Sequence, residues 1–321
     1  MKIFRSPYPP SQATPCALTI GNFDGVHLGH QALVRQLVAD AHERGLSTTV
    51  LTFEPHPREY FCRLAEARGQ TPAAQPVRIS NLRDRLSMLR SLGVDRVCLA
   101  RFNPALAQCT PEDFVHHVLA DGLKARYIRI GSDFRFGAQR RGDFASLKAL
   151  GLQYGIEVQA MPTIEDDGVR VSSSLVRDAL ALSDFDWASK MLDRPYRLCG
   201  RVGHGRKLGG KIGFPTLNLR FPYGRPALQG VFVVQVHGLA DHPLPGVANF
   251  GTRPAIEQGG VHLLEVHLLD WHGNAYGKLI QVEFLHKLRD EMNFPDLDAL
   301  TRQIHADAEA ARAHFQRNTQ R

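Results

Sequence analysis

Apolar and polar positions follow two different rhythms along this chain. From Cys16 to about Leu182, apolar β-rich runs at 17–21, 48–53, 96–100 and 127–131 are separated by stretches with helical spacing. Ile79, Leu82, Leu86 and Leu89 fall on one helical stripe. Thr110, Pro111 and Asp113 read as a helix start, with a capping hydroxyl, a proline in the first turn and an early acid. Near-continuous apolar strands alternating with helices predict a parallel sheet covered on both faces. Beyond about Ser183, strand candidates follow one another directly at 197–202, 231–237, 261–269 and 279–285, punctuated by Gly and Pro. That pattern predicts a small antiparallel β-barrel or sandwich. One helix closes the chain, with Leu297, Leu300, Ile304, Ala308, Ala311 and Phe315 at helical spacing, and its expected role is to pack on the barrel. The Gly- and Pro-containing stretch 68–76 reads as a surface excursion.

Composition sharpens this. A chain of 321 residues, 43% hydrophobic, exceeds one ordinary core and suits two domains. The formal charge of +7 and a pI near 9.3 favour anionic partners. The basic residues are dispersed, with no block of like charge, so phosphorylated small molecules are expected and nucleic acid is not. Cysteines stand at 16, 62, 98, 109 and 199 without a C-x-x-C pair, which reads as reduced, structural thiols in a cytoplasmic protein. The first residues carry Pro and Ser in place of an apolar run, and no stretch of about 18 apolar residues occurs, so neither signal peptide nor membrane partner is expected.

The densest chemistry in the first half is Gly21-Asn22-Phe23-Asp24-Gly25-Val26-His27-Leu28-Gly29-His30. A strand ends at Gly21, a glycine-containing turn follows, and a helix begins near Gly29. The free N–H groups of a helix start favour an anion. His27 and His30, three apart, can face one phosphate chain, and Gly29 leaves room for a nucleotide against the backbone. A lone His at a helix start is ordinarily a cap; two bracketing a Gly after this turn are harder to explain so. No third ligand lies at a telling spacing for a metal. The string resembles the H-x-G-H signature of nucleotidyltransferases, in the form found in the FMN adenylyltransferase branch of bifunctional bacterial FAD synthetases. Gly131-Ser132-Asp133-Phe134-Arg135-Phe136-Gly137 resembles that branch's G-x-[DN]-F-x-F-G loop, and Arg170-Val171-Ser172-Ser173-Ser174-Leu175-Val176-Arg177 its R-x-S-S-[ST]-x-x-R segment, with Ser174 where Thr is commoner.

The resemblance implies a Rossmann-like domain that transfers AMP from ATP to FMN. His27 and His30 would hold the ATP phosphates, helped by Asn22, Gly25 and Gly29. Ser173, Ser174 and Arg177 would hold the pyrophosphate end. Asp133 and Arg170 would seat the flavin or the nucleotide, and Mg2+ would bridge the phosphates. Phe134 and Phe136 have an alternative role as plain packing residues.

The second half opens with Gly200, Gly203, Gly205, Gly209, Gly210 and Gly213 leading into Phe214-Pro215-Thr216-Leu217-Asn218. Chained glycines let backbone amides wrap a polyphosphate, although a flexible hairpin has the same composition. The spacing matches neither a Walker loop nor a dinucleotide fingerprint. Pro215-Thr216-Leu217-Asn218 resembles the P-T-A-N motif of riboflavin kinases, with Leu217 for the usual Ala. Thr216 and Asn218 supply hard oxygens suited to Mg2+. In Leu263-Leu264-Glu265-Val266-His267-Leu268, read as a strand, His262, Leu264, Val266 and Leu268 share one face and Leu263, Glu265 and His267 the other. The segment resembles the kinases' E-x-H-[IL] strand, whose Glu is the catalytic base, so Glu265 would accept the riboflavin 5′-hydroxyl proton. Gly203, Gly205 and Lys211 would bind ATP phosphates. Asn249-Phe250-Gly251-Thr252-Arg253-Pro254 matches the family's N-x-G-T-R-P loop, and Arg289, before Phe294, its flavin-side segment.

The resemblance covers about residues 16–315, with motifs in family order. It implies an adenylyltransferase domain over 1–184, a kinase barrel over 185–321, ATP as co-substrate and FMN and FAD as products. Two rivals are a monofunctional adenylyl- or cytidylyltransferase with a non-catalytic flavin-binding barrel, and a non-catalytic flavin- or RNA-binding protein. Intact Thr216, Asn218 and Glu265 weigh against the first and the histidine pair against the second.

Overall fold

The computed structural model describes residues 1–6, 14–71, 77–162, 164–166, 168–205, 213–221, 224–252 and 262–319. The chain forms two compact units. One comprises Met1–Pro76 and Arg85–Ser172, the other Val77–Asp84 and Ser173–Arg321.

The strands of the first unit's main sheet are β1 (Lys2–Phe4), β2 (Cys16–Ile20), β3 (Ser47–Glu54), β5 (Arg96–Arg101), β6 (Ala125–Gly131) and β7 (Glu157–Met161), leaving β4 (Val77–Arg78) to the second unit. All pair in parallel, in the order β1-β5-β3-β2-β6-β7. β2 is buried along its whole length, as expected of a strand with helices on both sheet faces. The connections carry α1 (Leu28–Glu43), α2 (Pro57–Ala67), α3 (Leu82–Ser91), α4 (Pro104–Gln108), α5 (Pro111–Asp113) and α6 (Phe144–Gln153). As the sequence predicts, Thr110 caps α5, accepting from the Asp113 N–H at 3.1 Å, but the helix then runs on in π geometry over Phe114–Gly122. Because β2 leads to β3 on one side while β6 lies on the other, the strand order reverses beside β2. In open α/β sheets that crevice, at the carboxyl ends of the strands, is where ligands bind. The loops after β2 and β6 both end there. A small hairpin, β8 (Glu165–Asp166) with β9 (Val169–Arg170), completes the unit.

The second unit is built on α7 (Ser173–Ala181), α8 (Phe185–Leu192) and a six-stranded antiparallel sheet. Its strands are β10 (Arg197–Arg201), β11 (Leu217–Phe221), β13 (Gly230–His237), β14 (Leu244–Thr252), β15 (His262–Leu268) and β16 (Leu279–Arg289), in the order β10-β16-β13-β14-β15-β11. A bridge between Gly203 and Asn218 joins the two ends and nearly closes a barrel. Leu198, Leu219, Phe232, Val234, Phe250, Leu264, Val266, Val282 and Phe284 are buried in it, with Phe185 of α8 against Phe232 and Phe284. The last helix, α9 (Leu297–Thr319), packs Ile304, Ala308, Ala311 and Phe315 with Phe214, Val233, Val247 and Leu285, on the other sheet face.

Two local expectations differ. Ile79 does not continue the stripe of α3, which starts at Leu82. Residues 77–78 instead form β4, which pairs in parallel with β12 (Arg225–Pro226). A buried apolar side chain three residues before a helix mimics one more helical turn in sequence. Asn249 to Thr252, read as a loop, are the end of β14; glycine at 246 and 251 hid its period-two pattern. Of the 68–76 excursion, residues 72–76 lie outside the described residues, as do Lys211 and Arg253.

Candidate active sites

At the first site, the backbone between β2 and α1 turns through three left-handed residues, Phe23 (φ 51°), Gly25 (φ 78°) and Val26 (φ 44°). A β-branched residue with positive φ costs of order 1–3 kcal/mol and persists only where its surroundings hold it. Several contacts do so. Arg85, 2% exposed, donates to the Asn22 carbonyl at 2.8 Å and to Glu54 at 2.9 Å. The Thr52 hydroxyl donates to the same carbonyl at 3.3 Å, and buried Gln31 donates to the Val26 carbonyl at 3.1 Å. Phe23 and Val26 are themselves core residues.

This turn delivers His27 at the N-cap of α1 and His30 one turn in. Their rings stack with centroids 3.8 Å apart, and Phe23 backs His30 at 5.0 Å. Gly29 does not open an empty cleft: a Cβ there would lie 3.2 Å from the His27 ring and 3.6 Å from the Val171 carbonyl oxygen, so the missing side chain makes room for the imidazole. Asn22 Oδ1 is buried without a partner among the described residues. Asp133, in the loop after β6, and Arg170 are exposed and form an ion pair with each other. Phe136 is a core residue and Phe134 packs on the same cluster, so both take the plain packing role. Among the described residues the metal-type cluster is His116, His117 and Asp121, which does not include His27 or His30. Arg85, Gln31 and Asp24, 4% exposed, were not singled out from sequence. A signal existed for Arg85, which lies three after Leu82 and four before Leu89, on the apolar stripe.

Ser173 and Ser174 open α7 in the second unit, and Arg177 on the same helix donates from Nε to the Val77 carbonyl at 2.7 Å.

At the second site, register does the assembling. On β15, Glu265 stands directly opposite Asn218 of β11 and directly opposite Asn249 of β14. Opposed residues of antiparallel strands share a face, with Cβ atoms about 4.5–5.5 Å apart. The row continues from Asn249 to Val231 and on to Arg289, and at its other end Asn218 meets Gly203. Asn218 is 5% exposed. Its Nδ2 donates to the Thr216 carbonyl at 3.0 Å and approaches the Thr216 hydroxyl at 3.5 Å, while Oδ1 is buried without a partner among the described residues. The Gly203 N–H donates to the Asn218 carbonyl at 2.8 Å. Gly205 lies over the Asn218 amide so closely that a Cβ would come within 2.5 Å of Oδ1. His267, one step along the same face from Glu265, bonds through Nδ1 to the Pro215 carbonyl at 3.0 Å and holds the turn that carries Thr216. Arg289 makes a bidentate pair with Asp307 of α9 (3.0 and 2.8 Å) and donates to the Asp290 carbonyl, so here it anchors the helix.

Two enzyme families account for this pair of units. The family model for FAD synthetase matches residues 10–175 and that for riboflavin kinase residues 192–315. The chain belongs to the bifunctional riboflavin kinase/FMN adenylyltransferases. It is 43% identical to the enzyme so named from Haemophilus influenzae, over 94% of both chains. It is 43% identical to that from Escherichia coli K12, over 98% of both, and 44% identical to that from Pseudomonas fluorescens, over 93% of this chain and 92% of that one. A solved structure described as a macrolide-efflux protein from Streptococcus pneumoniae is 27% identical, with a TM-score of 0.71 over 97% of this chain and 98% of that one. The likeness there is one of fold; among the described residues of this chain no helix is long and apolar enough to cross a membrane.

Proposed function

We propose that the two activities of this bifunctional enzyme work through the residues assembled above, with residues 1–184 carrying the adenylyltransferase and 185–321 the kinase, a division of the sequence that differs from the two compact units at 77–84 and 173–184. The chain phosphorylates riboflavin to FMN and adenylylates FMN to FAD, using ATP in both steps. In the kinase, Glu265 takes the proton of the riboflavin 5′-hydroxyl as that oxygen bonds to the γ-phosphorus and the bond to ADP breaks. The observation that carries this is the opposition of Glu265 and Asn218 across β15 and β11. It sets a carboxylate beside an amide oxygen that is buried and unpartnered among the described residues, and so supports a working kinase over an inert flavin-binding barrel. That oxygen and the Thr216 hydroxyl suit Mg2+, which when bound offsets the charge of the ATP phosphates. Gly203 and Gly205, and by resemblance Lys211, line the phosphates.

In the adenylyltransferase, an FMN phosphate oxygen bonds to the α-phosphorus of ATP and pyrophosphate leaves. The stacked His27 and His30, at the positive end of α1, hold the triphosphate and offset charge gathering on it. Asn22, Gly25 and Gly29 shape the turn. By resemblance Ser173, Ser174 and Arg177 serve the pyrophosphate, and Asp133 and Arg170, paired to one another here, the flavin or nucleotide. The five cysteines are all free thiols, in keeping with a reducing, cytoplasmic setting.

The test is to incubate the full chain with riboflavin, ATP and Mg2+ and separate the flavins by chromatography. Glu265→Ala is expected to abolish FMN formation while supplied FMN still becomes FAD. His30→Ala is expected to do the reverse, letting FMN accumulate. Loss of both reactions in either variant contradicts the assignment.

A further inference from the structure

The row across the barrel has a third polar member with no assigned task. Asn249 faces Glu265 from the side opposite Asn218. Its amide is half-buried, and its Oδ1 is sealed from solvent with no hydrogen-bond partner among the described residues. An acceptor left in that state destabilises the fold unless a ligand satisfies it. On its far side stands Val231, 4% exposed, which offers no polar group. An amide on a sheet face between a carboxylate and a buried valine needs a reason.

The order of the row supplies one. The phosphate end is marked by Gly203 and Gly205, whose backbones approach Asn218. Next come Asn218, Glu265, Asn249, Val231 and Arg289. Phosphoryl transfer in line requires the attacking hydroxyl and the leaving ADP on opposite sides of the phosphorus. With Glu265 as the base and the nucleotide on the Asn218 side, the flavin must approach from the Asn249 side. An amide oxygen cannot bond a phosphate oxygen, since both are acceptors, but it matches a hydroxyl donor. A ribityl chain carries a series of these.

We propose that Asn249 is a flavin-side residue of the kinase site: its Oδ1 accepts from a ribityl hydroxyl of riboflavin and so brings the terminal hydroxyl to Glu265. This rests on Glu265 being the base. Glu291 fixes one edge of the arrangement, its carboxylate filling the notch at Gly251, two residues along β14 on the same face.

The test compares steady-state kinase kinetics of the full-length wild type, Asn249→Leu and Asn249→Ser. Leu keeps the branching at Cγ, with a somewhat larger side chain, and has no acceptor. Asn249→Leu is expected to raise the riboflavin KM about tenfold, the worth of one lost hydrogen bond with an exposed partner. The ATP KM should stay within about twofold, as should adenylylation of supplied FMN, which reports the fold of the rest of the chain. Asn249→Ser, which keeps an acceptor, should recover part of the loss. A riboflavin analogue lacking the 4′-hydroxyl should discriminate less between wild type and the Leu variant than riboflavin does. A riboflavin KM and kcat unchanged in Asn249→Leu overturn the proposal, as does a loss that falls on the ATP KM. So does a Ser variant no better than Leu. If instead Glu265→Ala keeps wild-type kinase activity, the base assignment fails, and that is read independently of any Asn249 variant.

Discussion

At the scale of single residues, glycine decides which polar atoms are presented. Gly205 has no side chain because the Asn218 amide occupies that space, and Asn218 in turn has its Nδ2 tied to Thr216, so that Oδ1 is the atom left over. Gly205→Ala must displace either the loop or the amide. Kinase kcat/KM is expected to fall about a hundredfold, the penalty of a displacement near 1 Å at a reacting centre, with adenylylation of supplied FMN unaffected. Equal kinase rates in variant and wild type would show that the amide is not part of the site. Such detail was only half legible in the sequence. Thr216, Asn218 and Glu265 could be picked out by type and motif, but their apposition depends on strand register, which a one-dimensional pattern does not carry. Arg289 is a second case. Its motif position implies a flavin-side role, and what the sequence does not carry is the bidentate carboxylate that the fold gives its guanidinium, Asp307 in a later helix.

At the scale of elements, the joints between secondary structures carry much of the polar burial. Asp84, in the first turn of α3, accepts from the Cys199 N–H at 3.0 and 3.3 Å. Burial outweighs those bonds and pushes its carboxyl up to about 7. In the unfolded chain the same group titrates near 4. The folded state therefore keeps a proton that the unfolded state has released. The contribution to stability is complete below about pH 4 and falls as pH rises to about 7, with a slope up to about 1.4 kcal/mol per pH unit. Thermal melts across pH 5–8 should show a declining midpoint in the wild type and a flatter profile in Asp84→Asn, which keeps one acceptor without the charge. Parallel profiles would mean that Asp84 is ionised throughout. The elements themselves were largely readable. The four strand runs of the first half fall on β3, β5 and β6 and on β2, and the last helix lies where its spacing put it. β14 escaped because its glycines break the alternation, and β4 because two residues cannot show a period.

At the scale of the whole molecule, chain order and compact units do not coincide. Val77–Asp84 belongs with the barrel unit although it sits inside the first half of the sequence. Its backbone supplies the Arg78 carbonyl to Ala227 at 3.1 Å and the Ile79 carbonyl to the Tyr196 hydroxyl at 2.8 Å, while Asn81 donates to the Cys199 carbonyl at 2.7 Å. A fragment of residues 185–321 leaves those groups unmatched, each at a cost of about 1–3 kcal/mol where buried. It is expected to lose kinase activity at a lower temperature than the full chain, as read by residual riboflavin phosphorylation after heating. A fragment as heat-resistant as the full chain would show that segment 77–84 contributes little. No periodicity in the sequence announces such a loan of one short segment, since pairing between distant residues leaves no local trace.

The polar line through Asn218, Glu265 and Asn249 has a consequence for folding fidelity. Side chains in a strand alternate sides, so sliding β15 by one position against its neighbours would turn Glu265 into the barrel's oily interior and bring Leu264 or Val266 out in its place. A misaligned barrel could keep its shape and its antiparallel hydrogen bonds and yet be chemically dead. Turnover of the vitamin is thus a read-out of strand alignment, finer than any spectroscopic measure of β content.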